Sequence, residues 1–265
     1  MKGSAGMFGN CGGLDTGDLK YSLKFTRASS EYMTKALATP TSQRIFTISV
    51  WLQRSSTGTY QVILNDGYTS NAGSLYFLNT NELAFEIQDT VTGRGITTTA
   101  KYTSTSDLMH IVAVCDTTSA TNTITGSSTD RLRLYVNNSQ ITSLTASVPA
   151  QNYDPTMNAS GTTHMLGRLG DGTINYYLDA KLSRFVFIDG QALGPSSFGR
   201  YNASGQWISK TVSEISALAS GTGANNVMLE FNDNSSASAL GNDNSTKNND
   251  YTVFSLSTSD RSINY

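Results

Sequence analysis

Hydrophobic and polar residues alternate along much of this chain, and the longest stretch of this kind begins at Asn175. From Tyr177 to Arg184 the polar side chains occupy alternate positions. This spacing predicts a β-strand with one face buried. The apolar run Phe185–Ile188 follows directly, and a strand that is covered on both faces has such a run. The pattern therefore predicts one long strand that enters the middle of a sheet.

Turn residues follow this strand. Asp189-Gly190 is typical of a tight turn. The segment Gly194–Gly199 predicts a second turn and a short helix, with Pro195 at the first helical position and Gly199 at the C-cap.

Shorter segments elsewhere show the same patterns. Phe46–Arg54 places large apolar residues on one face, and Met109–Cys115 is apolar throughout, as expected of a central strand. Ile96–Tyr102 is rich in Thr and is predicted as an edge strand. Hairpins are predicted at Tyr21–Thr26 with Glu31–Ala36, at Ser74–Leu78 with Glu82–Gln88, and at Leu132–Val136 with Gln140–Thr142.

Apart from the helical turn within Gly194–Gly199, a short helix is predicted for Glu214–Ala219. About a dozen short strands with almost no helix predict an all-β fold, a two-sheet antiparallel β-sandwich with extended terminal arms. We expect the sandwich to span residues 20–257, between a glycine-rich arm at 1–19 and a tail at 258–265. The N-terminal arm carries Met7, Phe8 and Leu14, which we expect to anchor it to a partner subunit.

Composition narrows the class of function. The chain has 38% hydrophobic and 14% charged residues, with 13 Tyr and 10 Phe to fill a core between two sheets. A net charge of −2 argues against a nucleic-acid-binding protein, which needs a basic face. No run of residues predicts membrane insertion or a secretion signal, so synthesis in the cytoplasm is expected.

Cysteine and histidine are sparse. Cys11 and Cys115 do not form a disulfide framework, and Cys115 is predicted to be a small buried side chain. His110 and His164 lie far apart in sequence, and His110 is predicted to be hydrogen-bonded locally at the edge of the core rather than catalytic. Zinc is not expected because ligands are lacking.

Several segments together resemble one known family. The segment KLSRFVFIDGQALGPSSFG resembles the closing part of laminin-G/concanavalin A-like domains in virion proteins of tailed phages, especially marine phages. Further segments that resemble this family lie within about 21–253: SLKFTRASSEYMTKAL, FTISVWLQRS, LMHIVAVCDTT, DRLRLYVNNSQITS and the segment that begins VMLEFNDNSS. The resemblance implies a jelly-roll sandwich that is carried on a phage particle.

This fold also occurs in glucanases, which place Glu, Asp and Glu on alternate positions of a strand. Glu82 and Glu86 occupy the outer positions here, but Ala84 stands where the Asp is required. Glycoside hydrolysis needs one neutral and one ionised carboxyl group, and nothing in the sequence of this strand predicts that the two pKa values differ. The prediction is therefore a non-enzymatic protein, with a glycan hydrolase as the weakest alternative.

The resemblance leaves Ca²⁺ as the one plausible ion, because laminin-G-like domains often hold it on a rim loop. The candidate ligands are Asp66, Asp171 and Asp233, with Asp243 and Asp250 nearby in sequence in the Asn-rich tail. Asp-Gly and Asn-rich segments are also common in plain turns, so both interpretations stay open.

Carbohydrate binding needs an aromatic ring for stacking beside amide or carboxylate groups on exposed loops. Two groups of residues in the sequence fit this description, and Tyr153 is a third possibility. They are Tyr68 with Asp66 and Asn71, and Tyr176 with Asp171 and Asn175.

The leading functional prediction is a non-enzymatic protein of the virion surface, a head decoration, knob or tail accessory that displays a lectin-like sandwich. The alternative is a carbohydrate-binding receptor adhesin of a tail fibre. The expected partners are capsid or tail subunits, other copies of the chain and host surface glycans.

Overall fold

A computed structural model describes residues 17–67, 73–87, 94–121, 130–170 and 176–264. Within these ranges the strands are β1 (Tyr21–Phe25), β2 (Tyr32–Ala36), β3 (Ile45–Arg54), β4 (Gln61–Asn65), β5 (Ser74–Phe77), β6 (Glu82–Glu86), β7 (Gly95–Lys101), β8 (Met109–Asp116), β9 (Leu132–Val136), β10 (Ser139–Gln140), β11 (Leu144–Ser147), β12 (Thr163–Leu166), β13 (Ala180–Asp189), β14 (Gly199–Tyr201), β15 (Trp207–Ser209), β16 (Val227–Leu229), β17 (Thr252–Phe254) and β18 (Arg261–Ile263). The α-helix is α1 (Val212–Ala219).

Two large sheets form the antiparallel β-sandwich that the sequence predicts. The first sheet has the order β10-β9-β8-β3-β13-β1-β18, and β16 also pairs with β13. The second sheet has the order β11-β7-β6-β5-β4-β12-β2-β17. The strands β8 and β13, whose apolar runs predicted cover on both faces, do lie inside the first sheet, and β3 lies between them.

Aromatic side chains that face each other across the two sheets fill the core. Phe46 of β3 stacks on Phe187 of β13 at 5.5 Å between centroids, and its edge meets Phe85 of β6 at 6.3 Å. All three rings are fully buried. Cys115 is buried as predicted, and burial raises the pKa of its thiol.

The structure corrects one predicted hairpin and one predicted edge strand. Tyr21–Thr26 and Glu31–Ala36 do not form a hairpin, because β1 joins the first sheet and β2 the second. A short 3₁₀ turn at Arg27–Ser29 carries the chain from one sheet to the other. The predicted edge strand Ile96–Tyr102 corresponds to β7, which is interior because the unpredicted strand β11 pairs with it.

A third layer covers the outer face of the first sheet. It consists of the β14–β15 hairpin, a 3₁₀ turn at Pro195–Ser197 and α1, and we call it the outer layer. Its apolar side chains pack on outward-facing residues of β8, β13 and β16, and the buried members of this cluster are Val112, Val114, Val186, Ile188, Phe198, Ile215, Ala219 and Met228.

The first residues of the outer layer follow the predicted turns in most respects. Pro195 does occupy the first helical position, but Gly199 begins β14 and is not the C-cap. A side chain at Gly199 would collide with the ring of Trp207, at 2.4 Å from the Cβ position. The predicted helix is α1, whose Thr211 and Glu214 form a reciprocal capping box.

Asp189, which the sequence suggested only as a turn residue, is a buried hydrogen-bond acceptor at the end of β13. Its carboxylate accepts bonds from the backbone N–H groups of four residues and from the amide of Asn158. The four are Thr41 at 2.7 Å, Ser42 at 3.2 Å, Ala224 at 3.0 Å and Asn225 at 3.4 Å. The carboxylate thus ties three loops to one end of the first sheet.

The last residues also belong to the sandwich. The segment 258–265 was expected as a tail, but β18 within it pairs with β1 and forms one edge of the first sheet. In the described ranges, no helix has the length and apolar character needed to cross a bilayer.

Candidate functional site

The two sheets differ in what lies on their outer faces. In the described part of the chain, the buried apolar side chains form two clusters, the core and the outer layer over the first sheet. Neither cluster covers the outer face of the second sheet. Its outward-facing positions include Tyr76 of β5 and Glu86 of β6, both only half-buried. This face is only partly open, because Val62 and Ala84, which lie beside Tyr76 on it, are buried.

Six aromatic rings lie on and beside this face, and we call them the aromatic patch: Tyr32, Tyr60, Tyr76, Tyr176, Tyr177 and Phe254. Ring-centroid distances link them into two groups. Tyr60 lies 6.5 Å from Tyr76 and 4.6 Å from Tyr176, whereas Tyr32 lies 6.2 Å from Tyr177 and 4.5 Å from Phe254. Tyr176 and Tyr177 are neighbours in sequence, so the two groups are joined through the backbone of one segment.

Local sequence explains why these rings point outward. Tyr76 alternates with the core residues Leu75 and Phe77, and Tyr32 precedes the core residue Met33. Because side chains alternate between faces, each Tyr lies opposite the core. The exposed fraction is largest for Phe254, at 38%, on the edge strand β17.

A carboxylate lies at one end of the patch. The Tyr76 hydroxyl donates a hydrogen bond to Glu86 Oε1 at 2.9 Å. Burial raises the pKa of the Glu86 carboxyl, and burial together with the neighbouring Glu86 raises the pKa of Tyr76. The second oxygen of Glu86 can accept a hydrogen bond from a ligand hydroxyl.

A cleft of about 580 Å³ adjoins the other group of rings. Its lining residues are Thr26, Arg27, Ala28, Ser30, Tyr177 and Asp179. Tyr177 therefore belongs to both the patch and the cleft. The cleft offers a guanidinium, a carboxylate and two hydroxyl groups beside an aromatic ring, which is a small set of polar groups around an apolar surface.

One further cation belongs to this region. The guanidinium carbon of Arg168 lies 4.8 Å from the centroid of Tyr32 and 5.8 Å from that of Tyr177. Both distances are within the range of a cation–π interaction. Arg168 thus joins the cleft to the ring pair of Tyr32 and Phe254.

The predicted glycan-binding residues are only partly described. Tyr176 lies in the aromatic patch, while Tyr68, Asn71, Asp171 and Asn175 lie outside the described residues. Asp66 is described and buried, and its carboxylate accepts hydrogen bonds from Gly73 N at 2.8 Å and Thr156 Oγ1 at 2.5 Å. The third predicted tyrosine, Tyr153, packs against the core instead, with Arg94 over its ring at 4.9 Å.

The calcium prediction also remains a prediction. Asp233 uses its carboxylate in a local turn, where it accepts bonds from Ser235 N at 2.9 Å and Asn242 Nδ2 at 3.2 Å. Among the residues that the structure describes, no three His, Cys, Asp or Glu side chains meet as a metal-binding group. Asp171 lies outside those residues, as do the predicted anchor residues Met7, Phe8 and Leu14.

Both histidines are buried and hydrogen-bonded, as the sequence suggested for His110. Trp207 Nε1 donates to His110 Nδ1 at 3.0 Å, and His110 Nε2 pairs with Ser49 Oγ at 2.9 Å. Burial lowers the pKa of His110 to about 3 and that of His164 to about 4. Neither ring is in a position to serve a ligand at a surface.

The expectation that Glu82 and Glu86 have similar pKa values is wrong. A hydrogen bond from Thr80 lowers the pKa of Glu82, whereas burial raises that of Glu86. Ala84 still leaves the motif without its central carboxyl group.

The sequence analysis missed Tyr32, Tyr60 and Tyr76. The sequence did contain a signal for Tyr32 and Tyr76, because each is next to a core residue in a strand and so faces outward. A large ring at such a position is unusual unless that face is covered by other residues or binds a ligand. Nothing in the sequence indicated that these segments are neighbours.

Comparisons with known proteins concern the fold. No family model matches the sequence, and neither does any curated protein. Similar solved structures include the heptameric SAP-like pentraxin from Limulus polyphemus, with 14% identity and a TM-score of 0.47 over 67% of this chain and 79% of that chain. Another is the CBM40 of Ruminococcus gnavus IT-sialidase bound to alpha2,3 sialyllactose, with 14% identity and a TM-score of 0.45 over 68% and 96%. At this level the similarities decide nothing about function, and the laminin-G resemblance stays a prediction.

Proposed function

We propose that this protein is a non-enzymatic glycan-binding β-sandwich and that its ligand lies along the aromatic patch and the adjoining cleft. The observation that carries the proposal is the presence of six rings, in two groups of three, on and beside the outer face of the second sheet, none of which belongs to either apolar cluster. A sandwich that did not use this face would gain stability by covering the rings.

The chemistry of the patch suits sugars. Sugar rings carry apolar C–H faces and polar edges, so they bind where aromatic rings lie beside fixed hydrogen-bonding groups. Glu86 supplies an acceptor at one end of the patch, and Arg27, Ser30 and Asp179 supply donors and acceptors at the other.

The place of the protein in its biology is a separate proposal that rests on the sequence resemblance. We propose that the sandwich is displayed on the surface of a tailed-phage particle, after synthesis in the host cytoplasm, and that the arm at 1–19 attaches it to capsid or tail subunits. A tail-fibre adhesin is the second candidate, and the aromatic patch favours it because an adhesin must bind a host glycan.

Glycan binding can be tested with matched tyrosine variants. Tyr176→Ala removes a ring of the patch, whereas Tyr201→Ala removes an exposed ring of the outer layer. We expect the wild-type protein to bind members of a broad glycan array, Tyr176→Ala to lose at least tenfold in affinity, and Tyr201→Ala to bind normally. Equal loss in both variants, or no binding by the wild type, would contradict the proposal.

Attachment can be tested on purified particles by quantitative mass spectrometry. A copy number that matches the head subunits supports a decoration protein, and one that matches a fibre supports the adhesin. Absence of the protein from the particles rules out both placements and leaves the glycan-binding proposal unaffected.

A further inference from the structure

The side chain of Arg168 contacts two aromatic rings but has no polar partner among the described residues that would explain why a cation lies there. Its guanidinium lies over Tyr32 and near Tyr177, and in the described ranges it forms no hydrogen bond or ion pair with any residue. The side chain is half-buried, so part of its water shell has already been removed. A cation held in this way can pair with an anion at a lower cost than a freely solvated one.

The contact with the rings leaves the N–H donors of Arg168 without a hydrogen-bond partner among the described residues. An arginine that lies on a ring uses the face of its guanidinium for the contact, which leaves the N–H groups at the edge of the plane available. Two parallel N–H groups match a carboxylate or a sulfate, and such paired bonds are among the stronger polar contacts in proteins.

We propose that the ligand of the aromatic patch is an acidic saccharide and that Arg168 binds its carboxylate or sulfate group. The inference depends on the proposed glycan-binding function and adds the chemical class of the ligand. Sugar rings stack on the patch, and the acid group is held where Arg168 meets Tyr32 and Tyr177.

The cleft beside Tyr177 fits the remainder of such a ligand. Arg27 donates one long hydrogen bond to Tyr60 O at 3.5 Å, and its other donors face no described acceptor. Asp179 lies on the same cleft and can accept hydrogen bonds from sugar hydroxyl groups. A wall that carries both a cation and a carboxylate suits a molecule with both an acid group and hydroxyls.

Among the described residues, no carboxylate forms an ion pair with Arg168. Glu31 is buried and directs its carboxylate to Thr26 N at 2.5 Å, and burial raises its pKa. The net charge of the chain is −2, so long-range attraction of anions is not expected. Selection of an acid group therefore depends on local pairing at Arg168.

The experiment uses a panel of oligosaccharides in matched pairs. Galacturonic acid oligomers are compared with their methyl esters, and sulfated galactan oligomers are compared with their desulfated forms. The two pairs distinguish a carboxylate from a sulfate as the source of the charge. We expect the full chain to bind at least one acidic member more than tenfold more tightly than its neutral partner.

Three variants accompany the panel. Arg168→Gln should abolish the preference for the acidic member, and Arg168→Lys should restore only part of it, because lysine lacks the planar pair of donors. Arg200→Gln is the control, since it removes one exposed arginine from the outer layer and should leave the preference unchanged. The melting temperature of each variant verifies that it is folded.

The outcomes separate the two proposals. Binding of a neutral glycan with no change in Arg168→Gln overturns the acidic ligand and leaves glycan binding intact. An equal loss of preference in Arg200→Gln shows a general charge effect and also overturns the role of Arg168. If the wild type binds no member of this panel or of the broader array, the glycan-binding proposal fails, and the acidic ligand fails with it.

Discussion

The outer faces of the two sheets differ in how far they are covered and in whether their charged side chains are paired. The face of the first sheet is covered by the outer layer, and it buries a pair of opposite charges. Arg184 on that face forms an ion pair with Glu230, and the two side chains are 3% and 4% exposed. On the second sheet Tyr76 and Glu86 remain half-buried, and at its margin Arg168 lies on rings without an acidic partner among the described residues.

The contrast shows how position decides what a charged residue does. Arg184 also donates to Ser209 Oγ at 2.5 Å and to Lys210 O at 2.8 Å, so its donors are used within the protein. A buried and fully paired cation holds elements together, whereas a half-buried and unpaired cation is free to bind a ligand. Three predictions test this comparison.

The largest expected effect is on the covered face. Glu230→Gln removes the charge that opposes Arg184 and leaves a buried cation without a counter-ion, so we expect the free energy of unfolding to fall by about 3–5 kcal/mol. Urea denaturation of the wild type and the variant measures this difference. The double variant Arg184→Met/Glu230→Leu should recover much of the loss, and a loss as large as the sum of the single variants would argue against pairing.

The second prediction concerns pH and the buried histidines. The pKa of His110 is lowered to about 3 and that of His164 to about 4, from 6.5 in the unfolded chain. Each ring is neutral when folded, so its contribution to stability is present above pH 6.5 and is lost as the pH falls toward the folded pKa. We expect about 3 kcal/mol of lost stability per ring at pH 4.

NMR spectra of the two histidine rings provide the direct measurement. Both rings should remain neutral as the pH is lowered from 7.5 to 5, whereas a free histidine ring, with a pKa of 6.5, becomes protonated over this range. Unfolding by urea at each pH then gives the effect on stability. A ring that titrates near its ordinary pKa would show that it is not buried as described.

The smallest effect is expected on the open face. Glu86→Gln is the same substitution as Glu230→Gln, but Glu86 has no ion pair and its bond from Tyr76 can be kept by the amide oxygen. We expect the free energy of unfolding to change by less than about 1 kcal/mol. If Glu86→Gln destabilised the protein as much as Glu230→Gln, the two faces would not differ in the way described.

Much of the fold follows from the sequence because alternation reveals which residues face the core. Phe46, Ile48, Val50 and Leu52 were assigned to one face correctly, and all are buried in the core. Alternation does not reveal which sheet a strand joins, so β1 and β2 were wrongly paired. A crossing between sheets needs only a short turn, and the sequence of that turn resembles many others.

The candidate site was harder to predict because it is assembled from distant segments. The rings come from residues near 32, 60, 76, 176 and 254, and the pairings of β12 with β2 and β4, of β4 with β5 and of β17 with β2 bring these segments together. The sequence suggested Asp66 as a ligand, but its carboxylate holds backbone and hydroxyl groups of its own loops. A short motif does not distinguish an acceptor for the protein from one for a ligand.

The position of β13 has a consequence for the order of assembly. It pairs with β3 and β1, whose residues precede it by about half of the chain or more, as in Val50 with Phe185 and Leu23 with Leu182. During synthesis, the first sheet lacks its central strand until these late residues leave the ribosome. Until then, the edges of the earlier strands that pair with β13 remain unpaired. Contacts between such distant segments form slowly, on the order of milliseconds to seconds. Folding of this sandwich is thus expected to follow translation of its central strand, and the nascent chain is most prone to aggregate before that point.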